Sequence, residues 1–168
     1  MNPTILFGAL AAISLVLFAS GGSDNSSPGS GGGETLFDRN TPENMVNRIR
    51  VRPLGIAQLL GDAARQNAEV FIRSRAGAFG FSGSEVTTKS AQIADRVGDI
   101  VENTLRNNAQ GIVERAYQGD PFNAPDPNLQ SIGMFLRGVE GIPDTQTTEL
   151  QRSTIDAVLR EWDRMIRV

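Results

Sequence analysis

The sequence predicts an all-α protein made of a single N-terminal transmembrane helix, a Gly/Ser linker and a helical bundle of about four to five helices. Three observations predict it. Met1 to Ser23 contain no charged side chain. Gly21 to Gly33 read GGSDNSSPGSGGG, a composition without apolar residues. From Thr41 onward apolar residues recur at helical intervals, and no segment alternates apolar and polar residues over strand length. The expected boundaries are 1–20 for the anchor, 21–33 for the linker and 34–168 for the helical domain.

The anchor is read from Ile5 to Ala19, where Ser14 is the only polar residue. As a helix, Thr4 to Ser20 would measure about 25 Å, slightly short of a hydrocarbon core of about 30 Å. Membrane lipid is therefore the expected partner of residues 4–20. A cleaved signal peptide is the main competitor. It normally carries Lys or Arg before its apolar run, and only the α-amino group of Met1 supplies positive charge here. Ala19 and Gly21 nevertheless offer small residues for cleavage, which would leave an exported soluble helical binding domain. Gly8 and Ala12 form a small-xxx-small pair through which two anchors can pack closely. No Lys or Arg precedes the segment, and the near downstream flank carries Asp24, Glu34, Asp38 and Arg39. On that flank the C-terminal domain is expected outside the cytoplasm, or on the virion side of a phage membrane.

The linker cannot bury enough apolar surface to offset its ordering entropy, so it is expected to behave as a flexible tether with a reach of about 20 Å.

Helix signals follow. Thr41, Pro42 and Glu43 supply a hydroxyl cap, a first-turn proline and a first-turn acid. They open a short helix with Met45, Val46 and Ile49 apolar, which must stop before Pro53. A second helix, Leu54 to Arg75, carries Ile56, Leu59, Leu60, Ala63, Ala64, Val70 and Phe71 on a broad apolar face, and Gly77 to Gly83 end it. The third, Ser84 to Gln118, would be about 50 Å long unbroken, against a compact diameter of about 28 Å for a domain of this size. Either the bundle is elongated or the helix bends, near Gly98 or around Asn107, Asn108 and Gly111. Gly119 and the proline-stiffened stretch Asp120 to Pro127 stop it. Asp126 as cap and Pro127 in the first turn start a fourth helix, Pro127 to Val139, with Leu129, Ile132, Phe135, Leu136 and Val139 apolar. A fifth, Thr145 to Ile166, presents Leu150, Ile155, Val158, Leu159, Trp162, Met165 and Ile166.

Four features invite a functional reading. Gly77 to Ser84 (GAFGFSGS) place glycines before a helix start, where free amides can cradle an anion. No Lys follows the last glycine, so the nucleotide-binding loop fails, and a helix-to-helix turn capped by Ser84 is the plainer reading. Phe79 and Phe81 on that turn would either meet a bilayer or partner, or pack back onto the domain. Asp95, Asp99 and Glu102 share one stripe of the third helix, a spacing that suits a cation site, acid/base work or an ion-paired face. Arg160, Arg164 and Arg167 repeat that spacing with opposite sign on the last helix. The two stripes would pair if the helices are neighbours; the alternative is local pairing, Asp156 with Arg160 and Asp163 with Arg167. Finally, Arg48, Arg50 and Arg52 cluster before Pro53 as a membrane-proximal basic lobe suited to lipid phosphates or nucleic acid.

The chain has 16 basic and 19 acidic residues and a formal charge of −3, too balanced for general nucleic-acid binding, and no aromatic interleaving supports single-strand binding. It contains no His and no Cys. Thiol nucleophiles, His-based triads, disulfides and Cys/His zinc sites are excluded, and no Gly-x-Ser-x-Gly elbow occurs. No catalytic, cofactor-binding or metal residue is assigned, and no cofactor is expected. The expected role is a membrane-anchored structural or interaction element, in a bacterial envelope assembly or the internal membrane of a phage, with a protein partner or self-association. The rival is a small envelope hydrolase using Glu or Asp, which needs a cleft near Asp95, Asp99, Glu102 or Glu114 holding a carboxylate of raised pKa. A third reading is membrane disruption or DNA passage by an oligomer, which needs stronger anchor packing than Gly8 and Ala12 offer.

Overall fold

The computed structural model describes residues 33–168. The expected anchor, its Gly8 and Ala12 pair, and all but the last residue of the expected linker lie outside the described residues. These divide from the preceding stretch as a compact unit of their own.

The described residues are helical, without a strand among them. Helix α1 spans Pro42–Arg50, and the Thr41 hydroxyl accepts from the Asn44 amide at 3.3 Å, as its sequence signal predicts. Helix α2 spans Ile56–Ser74 and buries Ile56, Ala57, Leu60, Ala64, Ala68 and Ile72. A 3₁₀ turn, Ala76–Phe79, follows and closes at Gly80 with φ +74°. Helix α3 (Glu85–Asn107) and helix α4 (Ala109–Tyr117) replace the single long helix. The break falls at Asn108, one of the two places where the sequence allows a bend. There the Asn108 side-chain amide donates to the Thr104 carbonyl at 2.7 Å, beside the Asn108 backbone amide at 3.2 Å, a local side-chain bond that competes with helix continuation. Gly119, at φ +106°, then turns the chain out of α4.

The expected fourth helix is instead two short ones, α5 (Asp126–Leu129) and α6 (Ile132–Leu136). Its capping residue is Pro125, one position earlier than expected. One local and one distant side chain serve backbone carbonyls at the split. The Ser131 hydroxyl donates to the Asn128 carbonyl at 2.8 Å, and Gln151 of the last helix reaches across to donate to the Gln130 carbonyl at 2.8 Å. The last helix, α7, spans Asp144–Ile166, one residue longer at its start than expected. Ser84 precedes α3 without a side-chain capping bond, which corrects the capping expectation there.

Helix α2 is the centre of the fold, with its largest interface to α3 and its next largest to α7. The core has two parts. One gathers Met45, Ile49, Leu60, Leu105, Ile112 and Trp162, and the other Ile72, Phe79, Ile93, Val97, Leu136 and Leu150. Gly98 is a crossing point rather than a bend. A Cβ there would fall 2.8 Å from the Gly61 carbonyl oxygen, so α2 and α3 approach to backbone contact. Val70 and Phe135, expected in the core, are exposed. Both sit on helix faces left open by the described residues, Val70 at the edge of α7.

The domain's two ends meet. The Leu36 amide donates to the Ile166 carbonyl at 2.8 Å and the Val168 amide to the Glu34 carbonyl at 3.1 Å, around an isolated antiparallel bridge between Thr35 and Arg167.

Candidate functional site

The acidic stripe of α3 faces α2 and the loop before it, not α7. Arg65 of α2 lies 2.9 Å from Asp95 and 3.3 Å from Asp99, and also pairs with Asp62 on its own helix. The Arg65 Nε sits off the angle a hydrogen bond to Asp95 requires, so that contact is an ion pair without a well-formed bond. Glu102, almost wholly buried, accepts from Arg52 at 2.9 and 2.6 Å through one oxygen, and from Arg106 one turn further along α3. Burial pushes the Glu102 carboxyl up, and the hydrogen bonds and charges of Arg52 and Arg106 more than offset it, leaving its pKa below the ordinary glutamate value. A group held ionised in this way has the opposite bias from a general acid.

The arginines of α7 pair within their own helix. Arg164 binds Glu161, and Arg167 donates to Asp163 at 2.9 and 2.7 Å. These contacts hold the Asp163 carboxyl below its usual value and raise the two guanidinium groups. The expected pairing of the α3 and α7 stripes is therefore corrected: α2 lies between the two helices and supplies Arg65 to one of them. The local pair of Asp163 with Arg167 forms, whereas Arg160 has no carboxylate partner among the described residues.

Phe79 and Phe81 are buried, 6.0 Å apart between ring centroids, with Phe71 edge-on to Phe79. Of the two readings of this turn, packing back onto the domain is the one the structure shows, and presentation of these rings to a bilayer or partner is set aside; Gly80 and Gly83 supply the positive φ of the turn.

The basic cluster divides. Arg48 reaches the Asn40 side chain at 3.3 Å, and Arg50 donates to the Arg106 carbonyl at 3.4 Å, at the C-terminal end of α3. Arg52 is engaged by Glu102 while its side chain stays 60% exposed. Between and beyond them lie two apolar side chains in solvent, Val51 at 51% and Leu54 at 63% exposure. Leu54 has φ +69°, a left-handed conformation that costs a side-chain-bearing residue about 1–2 kcal/mol. Periodicity alone assigns Leu54 to α2. What it cannot show is that the chain turns at Val51–Gly55, where a Cβ on Gly55 would fall 2.1 Å from the Val51 carbonyl oxygen.

Two open grooves accompany this arrangement. One, of about 450 Å³, lies between α2 and α7 and is lined by Gln66, Asn67, Val70, Arg160, Glu161 and Arg164. The other, of about 270 Å³, lies along the first half of α7 with Gln130, Gln151, Arg152 and Asp156. Neither contains Asp95, Asp99, Glu102 or Glu114, the carboxylates that a hydrolase reading requires in a cleft. Among the described residues no group of three acidic side chains is arranged to hold a metal ion, and no helix is long and apolar enough to cross a membrane. Sequence reasoning missed Arg65 and Arg106 as the partners of the acidic stripe; the only signal for Arg106 is its position four residues after Glu102. No protein-family model matches the chain, and no curated protein or solved structure was found to be similar to it.

Proposed function

We propose that this chain is a single-pass, membrane-anchored structural or interaction protein whose helical domain stands on a short tether, in a bacterial envelope assembly or the internal membrane of a phage virion. One observation carries the reading: an uncharged run from Met1 to Ser23 whose central stretch, Ile5 to Ala19, contains a single polar residue. The Gly/Ser composition that follows suits a spacer, and Glu34, directly after it, is bonded into the helical domain through its carbonyl. Much of the ionic pairing in the domain is internal, with Arg65 and Glu102 joining α2, α3 and the loop before α2. That use of charge supports a scaffold or docking role over an enzymatic one.

Membrane fractionation with carbonate extraction, joined to an intact-mass measurement, tests the proposal. The full-length mass is expected in the carbonate-resistant pellet. A mature chain beginning near Gly22 and recovered in the aqueous fraction would overturn it in favour of an exported domain.

A further inference from the structure

We propose that the Val51–Leu54 turn, together with Arg48 and Arg50, is a lipid-docking tip that seats one end of the helical domain on an anionic bilayer surface. The proposal deepens the anchored reading above and rests on it for the identity of the membrane.

The turn has the composition of an interfacial element. Val51 and Leu54 place aliphatic side chains in solvent at the two ends of a four-residue loop, with Arg52 and Pro53 between them. Arg48 and Arg50 flank it without a carboxylate partner among the described residues, each bonded only to a neutral acceptor. The buried acid Glu102 is matched by both Arg52 and Arg106, so its charge does not cancel those of Arg48 and Arg50. Apolar side chains that enter the headgroup region beside arginines that meet lipid phosphates are the two terms of peripheral membrane binding. Leu54 keeps its exposed position at the cost of a left-handed backbone, which nothing in the packing of the domain requires of a leucine.

Position gives the second argument. Hydrogen bonds from Asn67 to Ser153 and from Arg75 to Glu149 show that α2 and α7 run antiparallel. The start of α2 is therefore level with the end of α7, and Glu34 and Leu36 are bonded to that same end of α7. The tether thus enters the fold at the end of the bundle that bears the turn. A Gly/Ser spacer of thirteen residues has a general reach of about 20 Å, shorter than the 19 residues of α2 at about 28 Å, which on the anchored reading favours this end over the opposite one. An anionic lipid surface is thus the occupant favoured by charge, by side-chain type and by where the tether joins.

The chain has no cysteine, so a single introduced one gives a unique label. Full-length Leu54→Cys and, as a remote exposed site, Met134→Cys would carry a nitroxide in phosphatidylglycerol-rich and in phosphatidylcholine vesicles. Collision rates with oxygen and with a water-soluble nickel chelate then report depth. The L54C label is expected to be oxygen-accessible and chelate-protected in anionic vesicles, and the M134C label water-exposed in both. Each arginine near an anionic surface contributes about fivefold to partitioning, so adding Arg48→Gln and Arg50→Gln should lower the docked-to-free ratio about thirtyfold. Water exposure of L54C equal to that of M134C, or no response to the arginine substitutions, refutes docking on lipid and leaves the turn to a protein or nucleic-acid partner. Carbonate washing separates the two proposals. A retained chain with a water-exposed L54C label refutes docking alone, and a released chain whose label was protected before the wash refutes the anchor alone.

Discussion

Gly98 offers a direct test of how α2 and α3 are held together. A methyl group there would lie 2.8 Å from the Gly61 carbonyl oxygen and 3.0 Å from the Arg65 Cβ, while one on Gly61 would lie 2.9 Å from both the Gly98 oxygen and the Glu102 Cβ. Ordinary contacts of this kind begin near 3.4 Å, so Gly98→Ala forces two helix backbones apart by roughly 0.6 Å. Neither backbone can rotate out of the way. A gap of about 0.5–1 Å forfeits about a quarter to a half of each dispersion contact it crosses, and this interface holds Leu60, Ala64 and Ala68 on one side and Val97, Val101 and Leu105 on the other. Overpacking costs about 1–3 kcal/mol, and a clash against backbone takes the upper part of that range, about 2–3 kcal/mol; the helical preference of Ala over Gly returns about 1 kcal/mol, for an expected net loss of about 1–2 kcal/mol. Gly111→Ala is the matched control. Its nearest neighbour is the flexible tip of Arg115 at 3.4 Å, so the same chemical change should stabilise by about 0.5–1 kcal/mol. Trp162, the single tryptophan, is buried and reports both in a urea titration of the full chain in mild detergent. At a slope of about 2 kcal/mol per molar, Gly98→Ala should lower the midpoint by about 0.5–1 M. The double variant with Gly61→Ala should cost less than the sum, because one separation relieves both clashes. A Gly98→Ala midpoint equal to or above wild type refutes backbone contact at this crossing.

Other outcomes follow from the ion pairs and the single indole. Because the Glu102 pKa is lowered on folding, its stabilising contribution is complete above the unfolded value of 4.5 and is lost as pH falls through the lower folded value. Glu102→Gln should therefore cost about 2 kcal/mol at pH 7 and flatten the acid side of the stability profile, as read by urea midpoints across pH; an unchanged profile refutes the pairing. Charge reversal at Arg160 and Arg164 should shift stability by no more than about 1 kcal/mol, and adding reversal at Asp95 and Asp99 should bring no rescue. Rescue in that cycle would mean that α3 and α7 meet. The Trp162 indole donates to the Pro121 carbonyl at 2.7 Å, so Trp162→Phe should cost about 1–2 kcal/mol by circular-dichroism melting and speed proteolysis of the Gly119–Pro125 connection. Unaltered cleavage there would separate the indole from that connection.

The elements readable from the sequence are those whose information is local. The Thr41 cap, the Gly119 stop and the C-terminal end of α7 each depend on residues within a turn or two, and all three are where the pattern puts them. The break at Asn108 was legible as one of two options, because a side chain that serves a backbone carbonyl competes with helix continuation. The division between α5 and α6 was not, since it depends on Gln151, far along the chain. The candidate site follows the same rule. Spacing identifies the stripe of Asp95, Asp99 and Glu102, but spacing cannot choose between the arginines of α2, the loop and α7 as partners. That choice is made by the order in which helices pack, which Gly61 and Gly98 control. Phe79 and Phe81 were legible as one of two options, exposure or packing back, and the second is observed, on a turn where Gly80 and Gly83 adopt positive φ.

The short pairing of Glu34–Leu36 with Ile166–Val168 makes the domain a mechanical object as well as a folded one. Tension applied at Glu34 would enter at two backbone hydrogen bonds and pass to the last turn of α7, whose Ile166 and Trp162 are rooted in the core. Load applied there would therefore peel a short strap first, leaving the helix crossings unstressed until it had given way.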